Sequence, residues 1–121
     1  MAYQIEFEQI GAVAYFSEDV SFRDLLAAER ELARRSYRLP LRFVISVFLN
    51  TKQFSCSDME YEQLNTVRYR GYAVRRGIKF AVVTGCESLK ALFLMNHESN
   101  GVKDEGAVFS SFMDAVSWAC V

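Results

Sequence analysis

Phe43-Val44-Ile45-Ser46-Val47-Phe48-Leu49 is a nearly unbroken apolar run that opens after the only proline, Pro40, and closes in polar residues at Asn50. A strand apolar on both faces belongs in the middle of a sheet that is covered on both sides, by helices or by one helix layer and another element. The run therefore predicts an α/β architecture. It also directs attention to the loop behind it, residues 50–57, because α/β proteins keep working residues at the carboxyl ends of their strands.

Toward the N-terminus, Tyr3, Ile5 and Phe7 alternate with Gln4, Glu6 and Glu8, the period of a strand with one wet face. Gly11 allows a turn into a second short strand, Ala12 to Phe16, and the two read as a hairpin. Ser21 to about Ser36 reads as a helix: Phe22, Leu25, Leu26, Leu32 and Ala33 fall on one stripe, and Ser21 with Asp24 makes a capping box. Arg34 and Arg35 sit in its last turn, where positive charge suits the helix dipole.

Beyond the central run, Ser57-Asp58-Met59-Glu60 is a second capping box opening a helix to about Arg76, ended by Gly77. Ile78 to Val83 is another strand. Thr84-Gly85-Cys86-Glu87-Ser88 turns into a helix around Leu89 to His97. A polar loop from Glu98 to Gly106 leads to a short strand at Ala107 to Phe109, and Ser111 with Asp114 caps a last helix carrying Ala115 and Trp118. The order β-β-α-β-α-β-α-β-α demands a largely parallel sheet with an antiparallel hairpin at one edge.

Composition bounds what such a domain can do. A chain of 121 residues sits in the range of one domain and buries roughly two-thirds of its unfolded surface without staples. Hydrophobic content of 51% and charged content of 24% are those of an ordinary globular chain. The formal net charge of −1 gives no global pull toward nucleic acid or an anionic membrane. No run approaches the roughly 18 apolar residues that span a bilayer, and the N-terminus has no signal-peptide pattern, which points to the cytosol. Cys56, Cys86 and Cys120 are widely spaced with no CxxC pair, so reduced thiols are expected. With His97 the single histidine, no metal-ligand spacing is present and no metal or cofactor is expected.

Four segments together carry a resemblance. They are Phe16-Ser17-Glu18-Asp19-Val20-Ser21 after the hairpin; Leu25-Leu26-Ala27-Ala28-Glu29-Arg30-Glu31-Leu32; Arg75-Arg76-Gly77-Ile78-Lys79-Phe80-Ala81-Val82-Val83; and Phe109-Ser110-Ser111-Phe112-Met113-Asp114-Ala115-Val116-Ser117-Trp118. The whole resembles the bacterial SpoIIAA-like, or STAS/SEC14-like, family of small stand-alone domains. The resemblance is of pattern, not of catalytic motif. It implies a STAS-type α/β domain that regulates partners by docking and performs no chemistry of its own.

In anti-sigma-factor antagonists of that kind, the loop after the central strand bears a phosphorylatable serine in an Asp-Ser-Ser-Gly-like motif. The matching loop here is Asn50-Thr51-Lys52-Gln53-Phe54-Ser55-Cys56-Ser57-Asp58, which lacks the aspartate before the serines and the glycine after them. Backbone N–H groups at a helix start favour an anion, which makes Ser55 and Ser57 candidates for phosphate. The complete capping box favours Ser57 as a simple cap. Thr84 and Ser88 join them as polar lining for an anion, nucleotide or lipid headgroup, although neither GxGxxG nor GxxxxGK is present.

Other residues stand out by position. Glu29 falls inside the apolar stripe of its helix, where a carboxylate needs either solvent for its head or a partner such as Arg42. On the helix from Met59, Leu64, Val67, Gly71 and Val74 should pack on the sheet, leaving Tyr61, Arg68, Tyr69, Tyr72, Arg75 and Arg76 as an outward face. Tyrosine and arginine suit a protein interface. The net charge and the lack of an RNA-binding motif argue against nucleic acid. Leu92-Phe93-Leu94-Met95 is too apolar for one helical face to hide, which makes Leu92, Phe93 and Met95 candidate homodimer contacts or core residues. Three functions follow from these residues: a non-enzymatic interaction module with an unidentified protein partner, a small-ligand domain, and an enzyme using Glu29, Cys56 or Cys86.

Overall fold

Every residue of the central strand is buried, and the rest of the architecture is the means of covering it. The computed structural model describes residues 3–36, 38, 41–52, 54–68, 78–99 and 106–120. Across them run β1 (Tyr3–Phe7), β2 (Gly11–Phe16), α1 (Phe22–Arg35), β3 (Phe43–Phe48), α2 (Asp58–Arg68), β4 (Lys79–Thr84), α3 (Glu87–Ser99), β5 (Gly106–Phe109) and α4 (Phe112–Ala119). The five strands form one mixed sheet in the order β1-β2-β3-β4-β5. β1 pairs antiparallel with β2, and the other neighbours pair parallel.

Strand order equals chain order, so each crossover steps to the next strand in the same direction. With right-handed crossovers, such one-way winding places every connecting helix on one face. The packing agrees. Ala12, Ala14, Val44, Phe48, Phe80 and Val82 meet Ala28 and Leu32 of α1 and Leu89 and Phe93 of α3. Tyr61 and Leu64 bring α2 to the same side. Phe16 stacks on Phe48 with ring centres 4.5 Å apart, within this layer. The alternate residues Val13, Phe43, Ile45, Val47, Ala81 and Val83 point to the opposite face, where α4 alone supplies a helix through Ala115 and Ala119.

Local chemistry fixes the helix ends. Ser21 Oγ accepts from the Asp24 N–H at 3.4 Å while the Ser21 N–H donates to the Asp24 carboxylate at 2.8 Å, the reciprocal box read from the sequence. Arg35 in the last turn of α1 lies over the Phe7 ring at 4.3 Å, tying the helix to the edge hairpin. At the end of α4, Lys79 Nζ donates to the Trp118 carbonyl at 3.2 Å and sits over the Trp118 ring. A cation thus answers carbonyls that the helix leaves unpaired.

Boundaries differ from expectation by a residue or two. β3 stops at Phe48, and Leu49 turns out to solvent. α3 starts at Glu87, because the Cys86 carbonyl already accepts from the Lys90 N–H. Residues 69–77 and 100–105 lie outside the described residues, as do the expected helix stop at Gly77 and most of the expected 98–106 loop.

Gly11 opens β2 opposite Phe43 in the parallel register, and a Cβ there would collide with the Phe43 ring. Gly11→Ala must displace a buried aromatic ring, so an overpacking loss of about 1–3 kcal/mol is expected. Leu32→Ala, at a position 1% exposed in α1, is expected to cost about 2–5 kcal/mol through the cavity it leaves. Urea unfolding of both variants against the parent checks the pair. A neutral Gly11→Ala would show that Phe43 is free to move.

Candidate functional site

The carboxyl ends of β3 and β4 are clipped together. Thr84 Oγ1 donates to the Phe48 carbonyl at 3.4 Å and accepts from the Cys86 N–H at 3.0 Å, fully buried. Thr51 Oγ1 donates to the Ser17 carbonyl, fastening the next loop to the end of β2. Between these loops lies an open cleft walled by Glu18, Leu49, Asn50, Thr51, Lys52 and residues 85–88. Ligand crevices in open α/β sheets form where strand order reverses and neighbouring crossovers diverge. Here the order never reverses, so the cleft is a gap between two loops.

Of the four residues expected to line this region, only Ser88 does. Thr84 is the buried clip just described and has no surface to offer. Ser55 is exposed beside the cleft. Ser57 is engaged as a cap: its hydroxyl accepts from the Glu60 N–H at 3.1 Å, and its N–H donates to the Glu60 carboxylate at 2.9 Å. A phosphate on Ser57 would stand beside that carboxylate and Asp58, so like charge opposes it.

The two loop cysteines have opposite environments. Burial raises the Cys56 thiol above its ordinary range, and Glu60 and Asp58 push the same way. Burial also works to raise Cys86, but the Ser88 hydroxyl and the N–H groups of Leu89 and Ser88 outweigh it, and its pKa falls below the ordinary value. The Cys86 sulfur lies 3.1 Å from Ser88 Oγ and 3.4 Å from the Lys52 carbonyl. This is the environment of a helix N-terminus acting on a thiol. Cys56 packs against the large core cluster and Glu29 lines a separate cavity. The three groups expected of an enzyme therefore share no cleft.

That cavity, about 50 Å³, lies between β3, β4 and the three helices of one face. Among the described residues its wall is largely apolar, with Glu29, Ser46 and Tyr61 as the polar residues. Glu29 is 6% exposed, and Arg42, an arginine suggested from sequence as its partner, is exposed just before β3. Ser46 is 8% exposed, and its hydroxyl makes no hydrogen bond to the described residues. A buried hydroxyl left unsatisfied costs about 1–3 kcal/mol. The sequence carried a signal for it, as the one polar residue inside β3.

Two expected contact faces change. Tyr61 points inward, because the α2 stripe that meets the sheet runs through Tyr61 and Leu64. The side chain of Arg68 and all of Tyr69, Tyr72, Arg75 and Arg76 lie outside the described residues. On α3, Phe93 is buried and Leu92 half-buried against the core, while Leu94 is turned to solvent. The Met95 side chain lies outside the described residues.

A surface that sequence reasoning missed lies on the α4 face. α4 has eight residues, about 12 Å of helix, and it packs chiefly on β3, β4 and β5, meeting β2 at its edge. The uncovered strip is a groove with Val13, Phe43 and Ile45 as floor, and Ile10, Phe112 and Val116 as sides. Tyr15 packs near Phe112, with ring centres 6.4 Å apart. Burial raises the Tyr15 pKa first, and the negative charges of Glu6 and Glu8 add to it, which marks an acidic rim.

The chain matches no protein-family profile and no curated protein. Among the described residues no helix is long and apolar enough to cross a membrane, and no group of three or more His, Cys, Asp or Glu side chains is placed to hold a metal ion.

Alkylation across a pH series distinguishes the thiols. Half-reaction of Cys86 is expected at lower pH than that of Cys56, read by mass spectrometry of the native protein; coincident profiles would remove the helix-terminus effect. Ser57→Ala is expected to cost about 1 kcal/mol in urea unfolding, the loss of a cap.

Proposed function

We propose that this chain is a non-enzymatic regulatory or protein-interaction module of the SpoIIAA-like, STAS-like kind, and that it docks its partner on the face of the sheet that α4 leaves half covered. The observation that carries the reading is the groove beside α4. Its floor is apolar, Ile10 stands at its edge with 42% exposure, and Tyr15, 36% exposed, packs near Phe112 on its side. Large apolar side chains grouped around a concave strip mark an interaction surface.

Val13 of β2 and Phe43 and Ile45 of β3 form the floor, and Phe112 and Val116 of α4 one side. An apolar strip of this kind suits the face of a short amphipathic helix. Glu6 and Glu8 along one rim favour a partner whose apolar stripe is flanked by basic residues. The hairpin edge, the parallel sheet and the capped helices are also what the resemblance implies for the fold, and they support the reading. A carrier that buries its ligand between the helices and the sheet finds less support, because the cavity there, about 50 Å³, is far below the roughly 300–1,000 Å³ of ordinary ligand pockets.

The test is capture from the native host with three baits: the parent, Ile10→Asp/Met113→Glu on the α4 face, and Leu49→Asp/Met59→Asp at the carboxyl end of the sheet. All four positions are exposed, so unfolding midpoints should stay near the parent's. The expected result is a protein held by the parent and the carboxyl-end variant, and lost at least tenfold by the α4-face variant. Loss with the carboxyl-end variant alone would move docking to the loop after β3, and no selectively held protein would overturn the reading.

A further inference from the structure

Ser46 is the feature of the inner cavity that demands an occupant. It sits mid-strand in β3, nine-tenths buried, on the face covered by α1, α2 and α3, and its hydroxyl meets no hydrogen-bond partner among the described residues. Carbonyls of a paired strand are committed to the ladder and project in the plane of the sheet, while a side chain stands across it. The hydroxyl therefore opens onto the cavity, whose other polar residues among those described are Glu29 from α1 and Tyr61 from α2.

We propose that this cavity is an internal hydration site, holding about one to three water molecules, the first of them hydrogen-bonded to Ser46 Oγ and to the Glu29 carboxylate. The count follows from size: a water needs at least about 15 Å³ and occupies about 30 Å³ in the liquid, against about 50 Å³ here. Polarity decides the occupant. A purely apolar cavity of this size stays dry, whereas a water persists where two to four polar groups can bind it. A carboxylate has about four acceptor positions, so Glu29 can receive a water alongside any other partner. The water then links the middle of β3 to the middle of α1, a tie between sheet and helix that apolar contact alone does not give.

High-resolution crystallography of the parent and of Ser46→Ala tests the site directly, with oxygen-17 relaxation dispersion to count long-lived internal waters in solution. The expected result is density about 2.6–3.2 Å from Ser46 Oγ in the parent, at least one long-lived water fewer in Ser46→Ala, and a lower unfolding midpoint for that variant. A Ser46 hydroxyl bonded to a protein group with no water beside it would overturn the proposal. So would an unchanged count of long-lived waters, or a raised midpoint in Ser46→Ala, which is the response to deleting an unsatisfied hydroxyl. Should the variant not fold, the parent's density alone decides.

Discussion

The constraint that organises this molecule is the two-sided burial of β3. All six residues from Phe43 to Phe48 are withdrawn from water, so both faces of the sheet need a lid at its centre. Each large aliphatic side chain sequestered this way contributes roughly 1.5–3 kcal/mol. The two lids are unequal. Three crossover helices lie on one side, while eight residues of α4 serve the other. Lys79 reinforces the weaker lid by holding the far end of α4 through the Trp118 carbonyl.

That inequality also sorts the surfaces by what they can do. The thick side covers a small, largely apolar cavity with a few polar groups and leaves Thr84 to bind the strand ends together. The carboxyl end, where sequence reasoning looked first, is occupied by structural work: a clip at Thr84, a cap at Ser57 and a tether at Thr51. The thin side is where apolar groups meet solvent in a shaped strip.

Much of the fold was legible because it is written in short-range patterns. The alternation from Tyr3 to Glu8, the apolar run of β3 and the Ser-x-x-Asp/Glu boxes at Ser21 and Ser57 all translate into the elements found. The site was less so, because it depends on which way a helix is turned and on how far a lid extends. Tyr61 reads as outward on spacing alone, and only packing against the sheet shows it inside. Glu29 lies in the apolar stripe of α1, as its spacing reads, and is buried there. The groove could not be seen at all, since it arises from how far α4 extends across β2 and β3, a relation between segments about a hundred residues apart.

Because strand order follows chain order, the sheet can be laid down as synthesis proceeds, each strand docking on its predecessor without waiting for a later one. Short steps between neighbours keep loop-closure costs modest and favour quick assembly. The one late arrival is α4, which follows all five strands. Until it docks, Val13, Ile45 and Val83 form a bare apolar sheet face, the kind of transient surface on which nascent chains aggregate or engage chaperones.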